Sequence, residues 1–218
     1  MLQSFALADS PSLGDLKVFL SRAARLDSGS VRLIGGSGVL AVYVPVLHPK
    51  GLLDAAPTVL GLRTFALATG GEFDLVVSSR ALLDRIAMLS VTVNSDSGPV
   101  DIAPPPTETS AAWMGISPPR GGWTAAGSIE VDVLEQVARE GIAEVAAAIP
   151  TGTGEQLVHK VRSEVWGRDI PGTEPRVPAG IAFAATSLGF LKTNTPAQVF
   201  VSGTWTRVST RGGHVLSR

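Results

Sequence analysis

The side chains able to do chemistry in this chain are few and widely spaced. The three histidines, His48, His159 and His214, lie far apart in sequence. Cysteine is absent, which excludes disulfides, thiolate nucleophiles and cysteine-held zinc or iron–sulfur sites. No His-x-x-x-His, His-x-His or Asp-x-Asp spacing is found, so neither a metal nor any other cofactor is expected. A serine hydrolase needs its nucleophile on a sharp turn beside an oriented imidazole. No Gly-x-Ser-x-Gly and no Ser-x-x-Lys occurs. Gly36-Ser37-Gly38-Val39-Leu40-Ala41 matches the loose dinucleotide fingerprint. That fingerprint requires a helix to begin there, so that its N–H groups meet a pyrophosphate. The residues that follow, Val42-Tyr43-Val44-Pro45-Val46, favour a strand, and the glycines read as a hairpin turn. Thr151-Gly152-Thr153-Gly154 lacks the Lys-Ser/Thr of a phosphate loop and reads as a helix cap. His159 follows Glu155 by four residues, a spacing that allows a pair on one helix face.

The least ordinary segment is Trp113-Met114-Gly115-Ile116-Ser117-Pro118-Pro119-Arg120-Gly121-Gly122-Trp123. Arg120 stands between two tryptophans, and a guanidinium both grips anions and stacks on aromatic rings. A ligand site built from Arg120, Trp123, Trp166, Arg168 and His159 is one reading. A junction in which the tryptophans fill hydrophobic holes is the other.

Elements must position these groups. Asp9-Ser10-Pro11-Ser12 opens a helix that carries Leu13, Leu16, Phe19, Leu20, Ala23 and Leu26 at three- and four-residue spacing and ends near Asp27. Val31–Ile34 and Val39–Val46 form a hairpin around Gly35–Gly38. Val59–Leu67 and Phe73–Ser78 read as a second hairpin around Ala68–Gly71. A helix over 79–89 and a short strand at Val91–Val93 follow. Prolines interrupt residues 95–122. The second half reads as helices over 129–149, 154–166 and 178–191, the last apolar on nearly all sides, then a hairpin of Gln198–Ser202 and Trp205–Thr210 around Gly203-Thr204, and a short strand at His214–Ser217. The expected fold class is α+β: a mainly antiparallel sheet with helices, followed by a helical half closed by a β-hairpin. The expected division is a sheet domain over 1–95, a proline-rich linker or ordered loop over 96–122 and a helical domain over 123–218, with one shared core as an alternative.

The apolar fraction of 44% against 17% charged residues excludes intrinsic disorder. No basic segment opens the chain, and the apolar run at 178–191 is short of the roughly 20 residues that cross a bilayer. A cytoplasmic protein without membrane contact is expected. From Pro175 onward there is no carboxylate side chain, while Arg176, Lys192, Arg207, Arg211 and Arg218 are cationic. Helices followed by a basic hairpin resemble the order of a winged helix. The helix that would enter the groove offers only Thr186 and Ser187 as polar side chains, too little to read bases, so nucleic acid is disfavoured as a partner.

Trp205-Thr206-Arg207-Val208-Ser209-Thr210-Arg211-Gly212-Gly213-His214-Val215-Leu216, with Val165-Trp166-Gly167-Arg168 and Ala182–Leu191, resembles a family of actinobacterial proteins without an established activity. The resemblance covers the second half, implies a bacterial cytoplasmic origin and transfers no catalytic residue. The function expected is non-enzymatic: binding of a partner or self-association, a homodimer included, encouraged by the small-residue faces at 143–148 and 182–185. The alternatives are a small-molecule enzyme or binder at the Trp113–Trp123 loop, and winged-helix-like nucleic-acid binding through the basic C-terminal region.

Overall fold

The computed structural model describes residues 4–27, 29–51, 54, 56–92, 98–115, 117–150, 152–191 and 195–218. Helices and an antiparallel sheet make the chain α+β. It divides into two compact units: unit one holds Met1–Pro45 and Leu62–Met114, and unit two holds Val46–Gly61 and Gly115–Arg218.

Unit one begins with β1 (Phe5–Leu7) and α1 (Ser10–Ala23). Asp9 caps α1: its carboxylate accepts the Ser12 N–H at 2.7 Å, and Pro11 occupies the first turn, where its missing N–H costs nothing. Leu13, Leu16, Phe19, Leu20 and Ala23 are buried, the apolar side that the spacing predicts. β2 (Ser30–Gly36) and β3 (Val39–Leu47) form the first hairpin, closed at Gly36↔Val39. Ser37 and Gly38 have φ of 50° and 75°, so both central residues of this two-residue turn are left-handed, the geometry that matches strand twist. The Gly-x-Gly segment is therefore a turn, with no helix after it.

The second expected hairpin is not formed. β5 (Phe73–Ser78) pairs with β2, from Ser30↔Ser78 to Gly35↔Phe73, in the order β5-β2-β3-β4 with β4 (Val59–Thr69) at the far side. The partner is chosen by long-range contacts. Gly35 leaves room for the Phe73 ring, which a Cβ there would overlap. Phe73 stacks on Phe5 at 5.3 Å, and Arg32 holds Asp74 through two bonds of 2.7 Å across the pair. β1 bridges β4 and β6 (Val100–Ile102).

α2 (Ser79–Thr92) extends through the residues expected to begin a strand at Val91, and Val93 lies outside the described residues. Leu82 and Ile86 are buried. The proline-rich stretch is tied in at its end. Thr109 N–H donates to Val76 O at 2.8 Å, and the indole of buried Trp113, in a 3-10 turn, donates to Ser30 Oγ at 3.1 Å.

Unit two contains β7 (Thr124–Ile129), α3 (Val131–Ala148), α4 (Glu155–Trp166), α5 (Ala179–Ser187), β8 (Ala197–Ser202), β9 (Trp205–Thr210) and β10 (Gly213–Ser217). Its strands follow the order β4-β10-β9-β8-β7. The start of β4 thus belongs to this unit, and Thr58 and Arg218 exchange backbone bonds of 3.0 and 3.1 Å. β7 is a strand where a helix was expected to start at Ile129. Its register with β8 shifts between Ala125 and Gly127, a bulge that distorts this edge strand. α5 stops at Ser187, short of the expected Leu191, because Gly189 turns left-handed (φ 71°) and Phe190 N–H returns to Ala185 O. Ala179, Gly180, Ile181, Ala182, Ala184 and Ala185 of α5 are buried. Among the described residues no helix is long and apolar enough to cross a membrane.

Candidate functional site

α4 starts at the non-helical Gly154, which has no side chain to cap it. Thr153 turns back instead, its hydroxyl donating to Pro150 O at 2.6 Å, while Thr151 lies outside the described residues. The helix buries Val165 and Trp166 and turns His159, Lys160, Ser163 and Glu164 toward a cavity of about 1340 Å³. Its other wall is the segment after β3, with Lys50, Asp54 and Ala56.

Asp54 organises that wall. Its carboxylate accepts the backbone N–H of Lys50 at 2.8 Å and of Ala56 at 2.9 Å, and meets His159 Nε2 at 2.5 Å. Both side chains are 18% exposed. Burial is the largest single influence on the Asp54 carboxyl and raises its pKa. The two backbone bonds and His159 together outweigh it, so the pKa lies below the ordinary carboxylate value. An ionised carboxylate only accepts, so His159 donates through Nε2. His159 thus pairs with a residue 105 positions away rather than with Glu155. Arg168 stands at the rim, bonded to Glu144 at 2.8 Å, and that contact raises its pKa.

Of the residues singled out by sequence, His159 and Arg168 share this cavity. Trp166 is 2% exposed and belongs to the core, stacked on Phe183 at 4.4 Å and pressed against Gly141, where a Cβ would overlap its ring. Trp123 donates to Pro119 O at 3.2 Å. Its ring carries an arginine, but that arginine is Arg207, whose guanidinium lies 4.5 Å from the centroids of both Trp123 and Phe200. Arg120 is exposed on the same loop. Nearby on the sheet, half-buried His214 meets Ser209 Oγ at 2.9 Å, and burial, then the charge of Arg207, push its pKa below the usual imidazole value. Sequence reasoning missed Asp54 and Lys50. The available signal was one isolated acid in an apolar loop, which matches no motif.

The chain matches the family described as Domain of unknown function (DUF8010) over residues 1–114. The chain belongs to that family. Residues 118–218 match a second family, Domain of unknown function (DUF8185), so the DUF8010 region and this second region meet at the same point as the later boundary between the units. No curated protein matches the chain. Among solved structures it is similar to the beta sliding clamp of Caulobacter crescentus, at 11% identity and a TM-score of 0.52, covering 100% of this chain and 65% of that one. The DNA polymerase sliding clamp of Bacillus subtilis is similar at 9% identity and a TM-score of 0.53, covering 100% and 64%. The DNA polymerase III subunit beta of Pseudomonas aeruginosa is similar at 13% identity and a TM-score of 0.52, covering 99% and 64%. The chain thus spans 64–65% of the length of these clamps.

This likeness corrects the function and partners expected from sequence. The expectations of an association without nucleic acid, of a small-molecule site on the Trp113–Trp123 loop and of a winged helix give way to the fold of DNA polymerase clamps. The expectation against nucleic acid rests on residues 178–191 offering only Thr186 and Ser187 as polar side chains, too little to read bases. That criterion applies only to sequence readout. Phosphate contacts hold DNA without reading it, and α5 is in any case a core helix.

Proposed function

We propose that the protein is a clamp-like scaffold that holds DNA independently of sequence and binds partner proteins, working as a homo-oligomer. The observation that carries this reading is the likeness to sliding clamps over 99–100% of the chain, both units included. A scaffold of this kind acts by occupancy and needs no nucleophile or general base. The open cavity between α4 and the Asp54 segment is large enough for a side-chain cluster of a partner. Identical copies close into a ring only through a head-to-tail interface whose rotation completes a turn.

The test combines sedimentation with DNA retention. The expected result is a discrete oligomer that binds duplex DNA of arbitrary sequence, with an affinity that falls steeply as salt rises. A monomer at all concentrations without salt-dependent DNA binding overturns the reading.

A further inference from the structure

We propose that the sheet face of unit two that carries Trp123, Phe200 and Arg207 binds single-stranded nucleic acid, a role beyond the duplex binding of the clamp reading. Directly opposed residues of antiparallel strands share a face, and neighbours along a strand alternate between faces. Val199, Val208 and Val215 are register partners and all are buried, one row of the core. Phe200 opposite Arg207, and Gln198 opposite Ser209 and then His214, therefore lie on the other face. Ser128 of β7 joins the second of these rows, opposite Gln198. Trp205 and Leu216 are buried on the same face, whereas Phe200, Arg207, Ser209 and His214 are half-buried and Gln198 and Ser128 are exposed. The part over β7, β8 and the middle of β9 thus reaches solvent.

Single strands are held by aromatic rings that stack on bases, beside cations that track the phosphates. Both are built into this face. The Arg207 guanidinium lies 4.5 Å from the centroids of Trp123 and Phe200, so two cation–π contacts fix the charge beside the rings. The Trp123 indole is anchored in turn by its bond to Pro119 O at 3.2 Å. In the adjacent row Ser209 Oγ meets His214 Nδ1 at 2.9 Å, and burial, then Arg207, keep that imidazole uncharged at neutral pH. Residues 115–129 and 175–218 contain no Asp or Glu, so neither these strands nor the loop before β7 places a carboxylate side chain here, while Arg120 and Arg211 are exposed cations. Glu130 and Glu174 line a pocket with Val199, a residue of the buried row. The acids of α3, Asp132, Glu135, Glu140 and Glu144, stand against the single Arg139. A polyanion is therefore drawn to the sheet face rather than to α3. A duplex stacks its bases on one another and offers them to no ring, so the aromatic contacts select the single strand.

The experiment titrates the full chain with labelled oligo(dT), longer than the roughly 4–16 nucleotides that one such platform covers, across a salt series and against a duplex competitor. Tryptophan fluorescence is expected to be quenched on binding, with most of the quench lost in Trp123→Phe. Arg207→Gln should flatten the plot of log affinity against log salt by about 0.7, the value of one phosphate contact on a single strand. Gln198→Glu is nearly isosteric and puts a carboxylate on the exposed part of the face, so binding at low salt should weaken about fivefold. Gln136→Glu, the same change on α3, should leave it unaltered. Circular dichroism melting establishes that the variants are folded; if Arg207→Gln is not, the two glutamate variants decide. No binding of oligo(dT), a preference for the duplex over the single strand, or equal losses in Gln198→Glu and Gln136→Glu overturns the proposal. Salt-dependent duplex binding that persists beside such a result leaves the clamp reading in place. Oligo(dT) binding without any duplex binding overturns the clamp reading alone.

Discussion

Asp54 illustrates how one side chain can hold a segment that has no regular structure. Its carboxylate satisfies two backbone N–H groups and an imidazole. Asp54→Ala leaves these donors without their acceptor, and a bond to a charged group is worth about 1.5–3 kcal/mol. Urea unfolding of Asp54→Ala should show a loss of about 2 kcal/mol, with His159→Gln losing less because the backbone bonds survive. His214 makes a pH prediction of its own. Burial and Arg207 lower its pKa in the folded protein from 6.5, so the unfolded chain takes up the proton first as pH falls. Its contribution is complete above about pH 6.5 and declines below that value toward the folded pKa. Melting temperatures at pH 8 and pH 5.5 should therefore drop more for wild type than for His214→Gln. Asp54 has the opposite chemistry and a separate window. Its folded pKa lies below 3.8, so its contribution is present above that value and is lost as pH falls beneath it.

At the scale of elements, glycines decide where large rings go. Gly141 on α3 admits the Trp166 ring of α4, and Gly35 on β2 admits the Phe73 ring of β5. Gly141→Leu should destabilise the protein by about 1–3 kcal/mol through overpacking, seen as a lower denaturant midpoint, even though leucine is the better helix former. These pairings also explain which elements the sequence disclosed. α1 was readable because its cap, its proline and its apolar spacing are all local. The Ser37-Gly38 turn was readable because two left-handed residues between β-branched runs have one common use. The β4–β5 hairpin was misread because strand character and an intervening Gly-Gly say nothing of a competing partner. β5 reaches β2 through Gly35, Phe5 and the Arg32–Asp74 pair, all distant in sequence.

At the scale of the whole chain, the units are not consecutive stretches. Val46–Gly61 folds with Gly115–Arg218, although it lies inside the region that matches the first family. It supplies the β4 start that partners β10, as well as Asp54 for His159. A fragment of residues 115–218 is therefore expected to lack a cooperative melting transition by circular dichroism, since β10 would be left as an unpaired edge. A sharp transition for that fragment would show that the intruding segment is dispensable.

Local chemistry was settled by the amino-acid order alone: helix caps, the tight turn, the alternation of apolar and polar positions, and the exclusion of cysteine chemistry. These features depend on neighbours within a few residues, where backbone sterics and capping bonds act. Strand partners, the Asp54–His159 pair and the arginine between Trp123 and Phe200 were decided only by tertiary structure. Each joins residues separated in the chain, and which of many competing distant contacts forms depends on the packing of the unit that holds them.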